Sequence, residues 1–193
     1  TTGDSNTGLG FRALDTNVTG NNNTAIGSEA LRNSTGGSNV AVGTHAGLNT
    51  SSGVENTFIG TSAGRSMTTG TLNVAIGSNA LRNSTTDSHN IAIGREALST
   101  EDGNGYNVAI GGYALQDLNA GADAYNVVIG YQAGTQMTTG TYNTVIGSQA
   151  LGTGITTGTK NIAIGYQAGL NITDGANNVL IGSQAGDALT TGS

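Results

Sequence analysis

Cysteine, proline and tryptophan are all missing from this chain, charged residues make up only 9% of it and aromatics 4%. The lack of cysteine leaves the redox compartment open, because a stacked backbone ladder can hold an extracellular chain together without disulfides. Fixed cations are few: Arg12, Arg32, Arg65, Arg82, Arg95 and Lys160, against a net charge of −6. They form no basic stripe for phosphates, which argues against nucleic acid as a partner. No run approaches the roughly 18 apolar residues of a membrane helix, so no direct membrane insertion is expected. No basic-then-apolar leader opens the chain at Thr1, which reads as the start of a processed product or an excised fragment. The twelve acidic residues are scattered without a repeating Asp comb, which argues against a calcium-bound roll. Disorder is a poor explanation too, since charge density is low and β-branched residues return at fixed spacing.

What is present is a repeat. An Asn is followed three residues later by Leu, Val or Ile and four residues later by Gly, at Asn6, Asn23, Asn39, Asn56, Asn73, Asn90, Asn107, Asn126, Asn143, Asn161 and Asn178. Steps between these Asn residues are mostly 17 residues. A unit this short cannot bury an apolar face alone, so copies must stack. Residues 1–193 therefore read as a single array of eleven rungs, an all-β parallel solenoid.

Within a rung, the residue after the Asn is always β-branched and the third after it is aliphatic, which places both on one face of a short strand. The residue between them points the other way and is mostly Ala, with Gly8, Phe58, Val128, Val145 and Leu180 as departures. Both faces are apolar, so the strand is expected to be covered twice. The small Ala side chains would allow close approach, and a seam between protomers is expected there; the competing explanation is a sandwich within one chain. Three residues before the Asn stands Gly, or Asp87, Asn104 or Asp123, read as a left-handed turn, and the Gly four after the Asn reads as a second corner. A second segment centres on an Ala seven after the Asn, followed only by Leu or Gly. The asparagines themselves, Asn23, Asn39, Asn56, Asn73, Asn90, Asn107, Asn126, Asn143, Asn161 and Asn178, have two readings. They form a hydrogen-bonded structural ladder along the axis, or they are turn residues tolerant of positive φ.

Asn-Val-Ala-Ile-Gly-Ser-Asn-Ala at 73–80, Asn-Ile-Ala-Ile-Gly-Arg-Glu-Ala at 90–97 and Asn-Val-Ala-Ile-Gly-Gly-Tyr-Ala at 107–114 resemble the head repeats of trimeric autotransporter adhesins. Asn-Thr-Ala-Ile-Gly-Ser-Glu-Ala-Leu at 23–31 looks like repeats of phage and large-virus fibre proteins. The resemblance covers essentially all of the chain. It implies a left-handed parallel β-roll, a homotrimer, and an extracellular place on a cell surface or virion fibre where it serves attachment. One departure stands out, since adhesin heads repeat near 14 residues and this chain near 17.

Candidate chemistry mostly dissolves in the register. Gly60-Thr61-Ser62-Ala63-Gly64 matches a nucleophile elbow, but the same slots elsewhere read Gly43-Thr44-His45-Ala46-Gly47 and Gly182-Ser183-Gln184-Ala185-Gly186. His45 and His89 occupy different rung positions, so no metal site and no cofactor site is expected, and the chain reads as a non-enzyme. All six tyrosines lie within 106–166, and Tyr106, Tyr125 and Tyr142 each precede the Asn of three consecutive rungs. Such a row could contact a glycan or receptor, or it could simply stiffen the rod. The phase of Thr1-Thr2-Gly3 matches that of Thr190-Thr191-Gly192-Ser193, which leads to an expectation of continuation in a longer chain or end-to-end stacking. The expected function is a rigid fibre or adhesin spacer that supports attachment to a host-surface glycan or protein. The alternatives are a self-assembling filament without a receptor, and an ice-binding solenoid.

Overall fold

The computed structural model describes residues 3–102, 105–154 and 156–192; Asn104, Thr1, Thr2 and Ser193, named above, lie outside them. Eleven three-residue strands follow one another: β1 Thr7–Leu9, β2 Thr24–Ile26, β3 Val40–Val42, β4 Thr57–Ile59, β5 Val74–Ile76, β6 Ile91–Ile93, β7 Val108–Ile110, β8 Val127–Ile129, β9 Thr144–Ile146, β10 Ile162–Ile164 and β11 Val179–Ile181. They form one parallel sheet in sequence order, and equivalent repeat positions pair, as in Val74 with Ile91, Ala75 with Ala92 and Ile76 with Ile93. No helix occurs among the described residues. The chain is a parallel β-solenoid, each turn adding one strand beside the last, over a length of roughly 50 Å at about 4.8 Å per strand.

The backbone ladder explains the register. In each rung the residue after the Asn donates its N–H to the next rung's Asn carbonyl, as Val74 does to Asn90 at 2.8 Å. The corner Gly donates back to the previous rung, as Gly77 does to Ile59 at 2.7 Å. A one-residue slip would break both sets and turn the Ala outward.

Alternation identifies two faces, and the structure decides which is inside. Ala25, Ala41, Ala75, Ala92, Ala109 and Ala163, at the middle of their strands, are fully buried within the chain. They pack against the second layer, where Ala30, Ala46, Ala63, Ala80, Ala97 and Ala114 are equally buried. The expected seam between protomers along these alanines is therefore corrected: the narrow interior of a single chain takes the small residues, and the sandwich within one monomer is the arrangement found. Leu31, Leu81, Leu98, Leu115 and Leu151, which follow the second-layer Ala, complete the core.

Size is exchanged between the layers. Phe58 replaces the strand Ala in β4, and the positions that face it hold Gly47 and Gly64 where other rungs have Leu; a Cβ at Gly47 would sit 2.7 Å from the Phe58 ring. Met67 and Met137 fill further space beside Gly64 and Gly134. Around Phe58 a larger side chain in one layer is matched by glycine in the other, which is how a close-packed interior tolerates such a swap.

The turns also differ from expectation. The Gly three before each Asn does not have positive φ; left-handed backbone falls on the residue directly before the Asn, from Ser5 at φ 58 through Leu72, His89 and Tyr106 to Asn177 at φ 59. That Gly is required for space instead, because a Cβ on Gly53 would lie 2.6 Å from the Gly70 carbonyl oxygen of the next rung. The corner Gly does need its freedom: Gly77 has φ +127 and a Cβ there would meet Gly94 at 2.6 Å. The residues six and eight after the Asn are left-handed as well, so the second-layer Ala is flanked by two such positions, as in Asn79, Ala80 and Leu81.

Candidate interaction surfaces

Three longitudinal files, the first with two residues per rung and the others with one, carry the side chains that could meet another molecule. The first is the outward face of the sheet. Val, Thr or Ile after each Asn and, two residues further on, Ile (Leu9 and Val42 in two rungs) project away from the strand-middle residue, and Ile26, Ile59, Ile91, Val127, Ile146 and Ile162 are each 36–38% exposed. The result is a flat apolar strip one strand wide, about 50 by 10 Å from strand geometry, or roughly 500 Å². That is at the upper end of what a monomeric surface carries.

Beneath this face runs the asparagine file. Each Asn side-chain oxygen accepts from the backbone N–H of the next Asn, at 2.9 to 3.2 Å over ten successive bonds from Asn6 to Asn178. The amide nitrogen of the same Asn donates to the carbonyl three residues before the next Asn, as Asn39 does to Gly53 at 2.8 Å and Asn73 to Asp87 at 2.7 Å. Direct amide-to-amide bonds add to these, Asn73 to Asn56 at 3.0 Å among them. From Asn23 to Asn161 the side chains are buried, so what the file holds is the backbone of its neighbours, with no face left for a ligand.

The second surface file is aromatic. Tyr106, Tyr125 and Tyr142 stack in parallel, with centroids 5.0 and 5.2 Å apart and planes 16° and 11° off parallel. His89 heads the row, 4.7 Å from Tyr106 and 7° off parallel. Its membership was legible, since His89 precedes Asn90 as each of these tyrosines precedes its own Asn. Stacking turns the ring faces toward one another and leaves edges and hydroxyls outward, so the row offers a glycan little of the flat apolar surface that sugar stacking uses. Partial burial, then the Asp123 carboxylate and the flanking phenols of Tyr106 and Tyr142, push the Tyr125 hydroxyl above the ordinary phenol range. Tyr113, six after its Asn, and Tyr131, five after its own, meet edge to face at 6.1 Å, and Arg95 lies over the Tyr113 ring.

The third file holds the residues six after the Asn. Here the register sets Glu29, His45 and Ser62 on successive rungs, with His45 Nε2 3.7 Å from Glu29. Sequence comparison by column would have found this acid, histidine and serine series. Ser62 is only 8% exposed, and its N–H and that of Ala63 are bonded to Thr44 and Gly60. No Ser62 to His45 hydrogen bond forms among the described residues, and nucleophile activation needs that contact and oxyanion donors aimed at a shared point. Further along the file, Gln149 donates to Gln132 at 3.3 Å, Gln167 to Gln149 at 3.0 Å and Gln184 to Gln167 at 3.2 Å. Beside it a cleft of about 170 Å³ opens between Gln132, Thr135, Gln136, Gln149, Gly152 and Thr153. Gly152 stands where Arg32, Arg65, Arg82 and Gln116 supply long side chains in their rungs.

Among the described residues no group of three or more His, Asp or Glu is placed to hold a metal, and no helix is long and apolar enough to cross a membrane. Compared with known proteins, the chain matches no family model, and neither a curated protein nor a solved structure matches it.

Proposed function

We propose that this chain is a rigid segment of an extracellular fibre or adhesin, in which three copies pack their outward Val, Thr and Ile strips against one another and support attachment to a surface. The observation that carries the reading is the in-register apolar strip, which one chain leaves partly open to water along its whole sheet. Most of these outward side chains are already about two-thirds covered by their own chain, so burying the remainder of each Ile or Val contributes about 0.5–1 kcal/mol. Repetition on every rung lets a contact that is modest per residue accumulate along the rod. The sparsely charged, hydroxyl- and amide-rich remainder of the surface, with a net charge of −6, suits a spacer with little attraction for nucleic acid.

Sedimentation or light scattering of the purified chain tests the assembly. The expected mass is three times 19.1 kDa, and Ile76→Glu with Ile93→Glu is expected to release folded single chains, because both side chains point away from the core. A wild-type mass of 19.1 kDa would overturn the reading, and an open-ended mass distribution would move it to a self-assembling filament. Ice binding gains little support. The loop hydroxyls of Thr35, Ser51, Thr68 and Thr173 already donate to carbonyls of the following rung at 2.8 to 3.0 Å, and are not presented as a free lattice for water.

A further inference from the structure

The stacked tyrosines have a chemistry that their packing role does not use. Tyr106, Tyr125 and Tyr142 are 44%, 43% and 54% exposed, so a small oxidant reaches each phenol, while the solenoid holds the rings at 5.0 and 5.2 Å. Neighbours in the row come from consecutive rungs, 19 and 17 residues apart in sequence. A ring at either end of a pair can swing about its side-chain torsions without moving the backbone ladder beneath it.

We propose that this row is an oxidative cross-linking site, at which a one-electron oxidant of the peroxidase and hydrogen peroxide class joins Tyr125 to Tyr106 or Tyr142 through a carbon–carbon bond. Each phenol loses one electron and one proton to give a phenoxyl radical. The two radicals couple at ring carbons ortho to oxygen, and the hydrogens displaced from those carbons return to the oxygens to restore two phenols. Overall two tyrosines and one hydrogen peroxide give one dityrosine and two waters. Either link staples one rung to the next, and the link between Tyr106 and Tyr125 closes a loop across the longest repeat, between Asn107 and Asn126. The chemistry requires only a single chain, so it stands apart from the trimeric reading.

Treatment of the dilute protein with a peroxidase and hydrogen peroxide, followed by peptide mapping, tests it. The expected products are single chains lighter by two hydrogens per link, blue dityrosine fluorescence, and linked peptides joining Tyr106 to Tyr125 or Tyr125 to Tyr142. The midpoint of thermal unfolding is expected to rise. Tyr113 and Tyr131 serve as the comparison for proximity without parallel stacking, and Tyr166, 50% exposed, for exposure alone. Tyr125→Phe is expected to abolish most of the linkage and Tyr166→Phe to leave it unchanged. Absence of dityrosine, links at Tyr131 or Tyr166 as abundant as those in the row, or full yield in Tyr125→Phe would each overturn the proposal. Should Tyr125→Phe not fold, the link map of the unmodified sequence decides alone.

Discussion

At the scale of single residues, the solenoid depends on side chains that replace missing backbone partners. Asn73 accepts the N–H of Asn90 and donates to the Asp87 carbonyl in a buried setting. Asn73→Ala removes both of these buried hydrogen bonds, and at about 1–3 kcal/mol for each partner lost the expected destabilisation is about 2–6 kcal/mol in urea unfolding. Asn83→Ala, at an exposed loop position, is the matched control and should stay within about 0.5 kcal/mol. A gain is expected elsewhere. Leu72 is 45% exposed and holds φ 60, a conformation that Asn tolerates better, so Leu72→Asn should stabilise by about 0.5–1 kcal/mol. Gly77→Ala combines a prohibited approach to Gly94 with strained φ and is expected to cost more than about 2 kcal/mol. Tyr125 sets an alkaline limit. Its hydroxyl is pushed up by partial burial and by Asp123, so the folded chain holds that proton more tightly than the unfolded one. The contribution is fully present below the ordinary phenol value of about 10 and is lost as pH rises through the higher folded value. Thermal midpoints measured upward from pH 10 should fall more steeply for the unmodified chain than for Tyr125→Phe.

At the scale of the element, much of the rung was legible and some of it was not. The strands could be placed because Asn, a β-branched residue, Ala, Ile and Gly recur in phase, and period-two alternation separates two faces. Alternation alone does not say which face is interior, and the close approach that small side chains allow was assigned to a seam between protomers, whereas it occurs between the two layers of one chain, where most inward strand positions hold Ala. The correlation that reveals this is in the sequence. Phe58 accompanies Gly64, Val128 accompanies Gly134 and Leu180 accompanies Gly186, whereas Ala75 accompanies Leu81 and Ala92 accompanies Leu98; Ala41 with Gly47, Ala163 with Gly169 and Val145 with Leu151 depart from the pattern. The left-handed position before the Asn was not legible, because Ser, Glu, Leu, His, Tyr and Lys all occupy it; stacking on the adjacent rungs imposes that conformation rather than local preference. His89 at the head of the tyrosine row was missed for a related reason, since its column was read only for tyrosine.

For the whole molecule, strand contacts run only between neighbours in sequence order, so stability is a sum of rung and interface terms rather than the property of one central core. An interior rung bonded on both sides should exchange its amide hydrogens far more slowly than the terminal rungs of β1 and β11, which have one strand neighbour each. Hydrogen exchange read by rung tests this, and protection that is uniform along the rod would mean that the unit of unfolding is the entire assembly. The outward strip adds a second kind of bond at right angles to the first. Along the axis the chain is held by hydrogen bonds, and across it by apolar contact in the proposed fibre, so heat and salt on one hand and mutation of single rungs on the other should act on separate parts of its strength.

The asparagine file also has a direction. Each side-chain oxygen from Asn6 to Asn161 serves the rung that comes after it, whereas the amide nitrogens reach both ways, as Asn73 does to the Asp87 carbonyl ahead and to the Asn56 oxygen behind. A lesion at one asparagine therefore strips the following rung of an acceptor for its backbone N–H, while the preceding rung loses at most a shared donor, so the damage is heavier on the carboxyl side.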